Sequence, residues 1–98
     1  MSAEGAASHI FGYTCYNDVT RGDFYKEGAF GASEWFVYGK TYEGFAPVGP
    51  WVVTGLDTSN LHIECRINGE VRQSHSTSDR LFTPEQLVSM VSHLGTLN

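Results

Sequence analysis

Apolar and polar residues alternate most regularly between residues 61 and 67, where the sequence reads Leu-His-Ile-Glu-Cys-Arg-Ile. Alternation with a period of two predicts a β-strand with one buried face, because successive side chains of a strand point to opposite sides. Asn68-Gly69 follows and favours a tight hairpin, since both positions of such a turn need positive φ. Residues 70–73 then predict the return strand. We expect the buried face of the first strand to carry Leu61, Ile63, Cys65 and Ile67.

A helical pattern follows the hairpin. Thr83 and Gln86 stand at the spacing of a capping box, and Pro84 suits the first helical position. Apolar residues then recur at i, i+3, i+4 and i+7, which predicts a single apolar stripe on a helix that Gly95 ends. We expect this stripe to lie in the core. Its members are Leu87, Met90, Val91 and Leu94.

The first half of the chain is less regular and richer in aromatic residues. Residues 3–9 predict a short helix capped by Ser2, and residues 10–16 predict a strand that ends at Asn17-Asp18. Residues 20–44 show no sustained period, and their frequent glycines predict a long ordered loop, a kind of segment that is often functional. Residues 47–50 predict a turn into a strand at residues 51–54. The whole pattern predicts an α+β, β-rich domain with a short helix at each end.

Composition narrows the class of protein. The chain has 98 residues, of which 41% are hydrophobic and 17% charged, as in one small globular domain. A formal net charge of −5 and scattered cations argue against a nucleic-acid partner. No apolar run approaches the roughly 18 residues needed to span a membrane, and no secretory signal is expected. Cys15 and Cys65 lie in strand-like runs, so we expect both to be reduced and buried, in the cytoplasm or in a mitochondrial matrix.

Two residues could carry chemistry. Asp18 follows a predicted strand, and a carboxylate there could serve Mg²⁺, which proteins hold through one or two carboxylates plus water and substrate oxygens. The simpler alternative is an Asx-turn that satisfies only backbone groups. Lys40, placed between glycine and threonine among aromatic residues, could stabilise an enolate or a carboxylate. The alternative there is an ordinary solvated lysine.

Four segments, taken in order, resemble the fumarylacetoacetate hydrolase family. The first contains Phe-Gly-Tyr-Thr and Asn-Asp-Val-Thr within residues 11–23, and the second contains Gly-Lys-Thr-Tyr and Gly-Phe-Ala-Pro-Val-Gly-Pro-Trp within residues 39–51. The others are Asn-Gly-Glu-Val-Arg-Gln at residues 68–73 and the stretch from Thr77 to Phe82. Together they span nearly the whole chain. The resemblance implies part of the mixed β-roll (β-sandwich roll) of the family's C-terminal domain.

The resemblance also implies a chemistry. Family members are metal-dependent hydrolases, isomerases or decarboxylases that act on 2-oxo or 1,3-dicarbonyl acids, such as acylpyruvate, fumarylacetoacetate or oxaloacetate, by stabilising an enolate. It implies Mg²⁺ or another divalent cation, a small oxo-acid substrate and a homodimer. Asp18 matches the family's metal-ligand aspartate, and Lys40 matches the lysine beside metal and substrate. Arg21 and Tyr25 become candidate substrate-binding residues, although Arg21 lies one place before the family's arginine and Tyr25 stands where glutamine is frequent.

Two family motifs have no counterpart in these residues, the upstream Glu-x-Glu and the downstream Thr-Gly-Thr-Pro. We therefore expect residues 1–98 to form a partial catalytic domain that is weak or inactive unless partner chains supply the missing ligands. We also expect open strand edges that favour self-association. The alternative is a non-catalytic remnant that serves as an oligomerisation or interaction module.

Overall fold

The computed structural model describes residues 1–23 and 37–97. They fall into two units, one made of Met1–Gly12 with the residues from Thr54 onward, the other of Tyr13–Val53. In the described residues, strand pairing is confined to two antiparallel ribbons of two strands each. Short helices and antiparallel strands confirm the predicted α+β, β-rich class.

The first ribbon joins β1 (Tyr13–Tyr16) to β2 (Val48–Val53), with a register shift between Tyr13 and Cys15. The sequence predicted that β2 would start at residue 51, after a turn, but the strand already begins at Val48. Gly49, at φ 134°, accommodates a backbone conformation that other residues rarely adopt, and the Gly49–Pro50 peptide bond is cis. Pro50 is tolerated because a proline fits an edge strand, and β1 is the one strand paired with β2 in the described residues.

The second ribbon confirms the predicted hairpin. Strand β3 (His62–Ile67) pairs with β4 (Glu70–Ser76), and the turn residues Asn68 and Gly69 have φ values of 52° and 84°. β4 continues three residues beyond the predicted end at Gln73. The turn depends only on the two residues that form it, which explains why the sequence predicted its position accurately.

The predicted buried face of β3 is wrong. Ile63 is 54% exposed and Ile67 is 58% exposed, while Leu61 and Cys65 are only partly covered. Alternation marks the face that a strand is able to bury, but a two-stranded ribbon buries it only when another layer packs against it.

The cysteines behave similarly: both are free thiols, but Cys15 is exposed and Cys65 is half-buried, so the expectation of burial fails.

The helices begin where their caps predict. Helix α1 (Ala3–Ala6) is capped by the Ser2 hydroxyl, and a 3₁₀ turn (Ala7–His9) continues it. Helix α2 (Pro84–Ser92) has the predicted capping box at Thr83, but it ends before Gly95. No helix in the described residues is both long and apolar enough to cross a membrane.

Helix α1 packs on α2 in the first unit, and Ala6 is fully buried there. The Ser89 hydroxyl adds a hydrogen bond of 2.7 Å to the Met1 carbonyl. Four residues of α1 are too few to cover the apolar stripe of α2, so its predicted place in the core is wrong. The exposed fractions of the stripe are 47% for Leu87, 56% for Met90, 48% for Val91 and 88% for Leu94.

Candidate functional site

The chain segments on either side of residues 24–36 lie side by side in the second unit. The backbone N–H of Arg21 donates to the carbonyl of Gly39 at 2.8 Å, and the N–H of Asn17 donates to Pro47 at 3.2 Å. Gly39 is buried. These bonds place the residues that follow β1 beside Lys40, so two residues predicted from distant parts of the sequence share one site.

Lys40 is the centre of this site. Its ammonium donates to Oδ2 of Asp18 in an ion pair and to Oγ1 of Thr20 at 3.0 Å. The Thr20 hydroxyl in turn donates to the Asp18 carbonyl at 3.0 Å. The Lys40 side chain is 28% exposed and that of Asp18 is 53% exposed. Solvent therefore screens the pair, and a small molecule can reach it. We call Asp18, Thr20 and Lys40 the lysine cluster.

The ammonium keeps a hydrogen-bond donor for a ligand. A lysine ammonium has three donors, and within the described residues two of them are used, by Asp18 and Thr20. The third can meet an oxygen atom that carries or develops negative charge. The cluster can therefore bind a carboxylate or stabilise an enolate oxygen.

Arg21 lies in the same unit but has partners of its own. Its Nε lies 2.8 and 2.9 Å from the two carboxylate oxygens of Asp23, and its Nη1 donates to the Tyr42 hydroxyl at 3.1 Å. The guanidinium also lies over the Tyr42 ring, 5.5 Å from its centre. Hydrogen bonding to Asp23 raises the pKa of Arg21, so this side chain stays a cation. Tyr25, the other predicted substrate-binding residue, lies outside the described residues.

A divalent cation needs more than this cluster provides. Among residues 1–23 and 37–97, no three His, Cys, Asp or Glu side chains are grouped so that they could hold a metal ion. Asp18 offers one carboxylate, and one of its oxygens already pairs with Lys40. Mg²⁺ prefers octahedral coordination by oxygen. The described residues therefore do not by themselves fit a magnesium site.

Sequence reasoning missed three members of this neighbourhood: Thr20, Asp23 and Tyr42. One signal was available, because Asp23 lies only two positions from Arg21. The contacts of Thr20 with Lys40 and of Tyr42 with Arg21 join residues 20 and 21 positions apart, and no local pattern reports them.

Comparison with known proteins finds a family model and relatives that match almost the whole chain. A family model described as fumarylacetoacetate (FAA) hydrolase C-terminal matches residues 1–98. Over 97 residues the chain is 38% identical to the uncharacterized protein MJ1656 of Methanocaldococcus jannaschii, covering 99% of this chain and 39% of that protein. Over 100 residues it is 40% identical to the mitochondrial oxaloacetate tautomerase FAHD2A of Bos taurus, covering 99% of this chain and 31% of the relative.

Solved structures give the same fold. A 5-carboxymethyl-2-hydroxymuconate delta-isomerase from Mycobacterium smegmatis superposes with a TM-score of 0.86 at 37% identity, covering 99% of this chain and 37% of that one. A fumarylacetoacetate hydrolase from Exiguobacterium antarcticum gives a TM-score of 0.80 at 39% identity, covering 94% and 32%. The chain thus spans between 31% and 39% of the length of the relatives named here.

The Asp18–Lys40 ion pair should contribute measurably to stability. We expect a double-mutant cycle of Asp18→Asn and Lys40→Met to give a coupling energy of about 0.5–1 kcal/mol in urea unfolding, as is usual for partly exposed pairs. Added salt should reduce the coupling.

The control is the Glu70–Arg72 pair on β4, at 3.1 Å with side chains 71% and 55% exposed. The corresponding cycle, Glu70→Gln with Arg72→Met, should give a smaller coupling. A zero coupling for Asp18–Lys40 at low salt would contradict the predicted contribution of this ion pair to stability.

Proposed function

The chain belongs to the fumarylacetoacetate hydrolase family, and on that premise we propose that its lysine cluster stabilises the enolate of a small 2-oxo or 1,3-dicarbonyl acid. The single observation that carries the proposal is the Lys40 ammonium, held by Asp18 and Thr20 with one donor left over among the contacts of residues 1–23 and 37–97. Two of its relatives, an oxaloacetate tautomerase and a delta-isomerase, support keto–enol chemistry more directly than hydrolysis or decarboxylation.

The proposed chemistry follows from charge. When a proton leaves the carbon next to a carbonyl group, negative charge develops on the carbonyl oxygen. An ammonium held within hydrogen-bond distance of that oxygen stabilises the transition state more than the ground state. Lys40 suits this role because its ammonium is a compact charge with rotatable donors. In the same position it can hand a proton to the enolate oxygen, while solvent water takes up the proton from carbon and returns one to Lys40, whose side chain is partly exposed.

Asp18 has a second proposed role. Its carboxylate orients Lys40 and could supply one oxygen to Mg²⁺ or another divalent cation. Metal dependence rests here on that single ligand, and the remaining ligands would have to come from outside the described cluster.

Arg21 is the proposed contact for the substrate carboxylate. Its guanidinium presents several donors in one plane, which matches a carboxylate geometrically. Asp23 and Tyr42 already bind it, so a substrate carboxylate would have to share or replace the Asp23 contact. Tyr25 remains a proposed substrate-binding residue.

We propose further that residues 1–98 form only part of a catalytic domain, in a homodimer. The share of the relatives that the chain covers, 39% and 31% for two of them, supports this extent. We propose a cytoplasmic location, with the mitochondrial matrix as the alternative, since one relative is described as mitochondrial.

Replacing Lys40 tests the proposal. We expect Lys40→Met to lower kcat for oxaloacetate tautomerisation on the order of 100-fold, because it removes a donor aimed at the developing oxyanion. The measurement is the ultraviolet absorbance of the enol, followed with Mg²⁺ present.

Arg72→Met is the matched control. It removes one positive charge from an exposed side chain on β4 and should leave kcat unchanged. The catalytic proposal fails if the unsubstituted protein does not accelerate tautomerisation, or if Lys40→Met and Arg72→Met have equal rates.

One observation favours a second candidate function, an oligomerisation module without catalysis. The stripe of α2 and the side chains of Ile63 and Ile67 are exposed apolar surface. Surface of that kind often marks an interaction site. The strand edges of the two ribbons could also pair with another chain.

Self-association is therefore expected in sedimentation equilibrium. Leu94→Lys should shift the protein toward monomer because Leu94 is 88% exposed at the end of the stripe. Gln73→Lys, an exposed polar position on β4, should not. A protein that is strictly monomeric at high concentration would contradict the module.

A further inference from the structure

We infer that Thr20 is a positioning residue that fixes the Lys40 ammonium at the site. The expected effect of Thr20 on the reaction rate rests on the proposed function, whereas its expected effect on the position of Lys40 does not. It depends on one hydroxyl group that links the backbone of Asp18 to the side chain of Lys40.

The direction of the hydrogen bonds gives Thr20 this role. A threonine hydroxyl has one donor and two acceptor lone pairs. Here the donor is directed to the Asp18 carbonyl at 3.0 Å, which leaves the lone pairs of the oxygen to face the Lys40 ammonium, also at 3.0 Å. The hydroxyl cannot turn its hydrogen toward the ammonium without losing the bond to the carbonyl. Thr20 therefore presents a fixed acceptor to Lys40.

A fixed acceptor matters because lysine is flexible. Its side chain has four rotatable bonds, and holding it in one conformation costs entropy. The Asp18 carboxylate alone fixes the distance to the ammonium but lets it move around the oxygen. A second contact, to Oγ1 of Thr20, determines which way the remaining donor points. Catalysis is sensitive to that direction, since a small misplacement can lower the rate strongly.

The test compares Thr20→Val, which removes the hydroxyl with little change in shape, with Thr20→Ser, which keeps it. The first readout is the NMR signal of the Lys40 ammonium in the full chain with ¹⁵N-labelled lysine at low temperature. Assignment comes from its loss in Lys40→Met. We expect the signal in the unsubstituted protein and in Thr20→Ser, and its broadening or loss in Thr20→Val. Thr14→Val, on β1, controls for the change from threonine to valine.

The second readout is tautomerisation of oxaloacetate. We expect Thr20→Val to lower kcat on the order of 10-fold with little change in KM, and Thr20→Ser to restore most of the rate. An unchanged ammonium signal in a folded Thr20→Val variant would overturn the inference. So would equal losses in Thr20→Val and Thr20→Ser.

The two readouts separate the inference from the proposed function. If the protein has no tautomerase activity, the proposed function fails, and the ammonium signal still decides whether Thr20 positions Lys40. If the protein is active and Thr20→Val matches it in rate and in signal, the inference fails while the proposed function stands.

Discussion

The hydrogen bond from the Arg21 N–H to the Gly39 carbonyl holds together the two segments that build the candidate site. Together with the Asn17–Pro47 bond, it places Asp18 and Thr20 beside Lys40. The bond is 2.8 Å long and Gly39 is buried, so the contact is a close one that involves main chain alone. The ion pair and the threonine contact are then consequences of that backbone register, since partly exposed charges contribute little by themselves.

Local chemistry explains which parts of the fold could be predicted. The Asn68-Gly69 turn and the capping box at Thr83 depend only on neighbouring residues, and both are present. Burial is different, because it depends on whether another layer covers a face. The alternation at Ile63 correctly predicted a strand but could not show that this face would be exposed.

The distinction between local and long-range information also applies to the candidate site. Local context made Asp18 and Lys40 candidates, but their roles came from the family resemblance, because a lone aspartate or lysine carries no local signature. Their contact across 22 positions, and the place of Thr20 between them, require the folded backbone. Tyr42 was missed for the same reason: its hydrogen bond to Arg21 spans 21 positions.

The exposure of apolar side chains also bears on how the chain is stabilised. Ala6 is the only apolar residue fully buried in the described part of the chain, and burial of apolar surface is the main force that stabilises a fold. The relatives compared above are more than twice as long, and the whole activity of such proteins need not lie in this chain alone. The lysine cluster does not depend on those apolar faces, since its contacts are backbone bonds and polar side chains within the second unit.

The central claim is that the Lys40 ammonium binds an enolate-like oxygen, and titration with oxalate tests it most directly. Oxalate is a planar dianion that resembles the enolate of a 2-oxo acid and cannot react further. We expect oxalate to shift the NMR signals of the Lys40 ammonium and the Thr20 amide more than any others. Lys40→Met should abolish these shifts. Shifts that spread over exposed cations such as Arg66 and Arg72, or that persist in Lys40→Met, would contradict it.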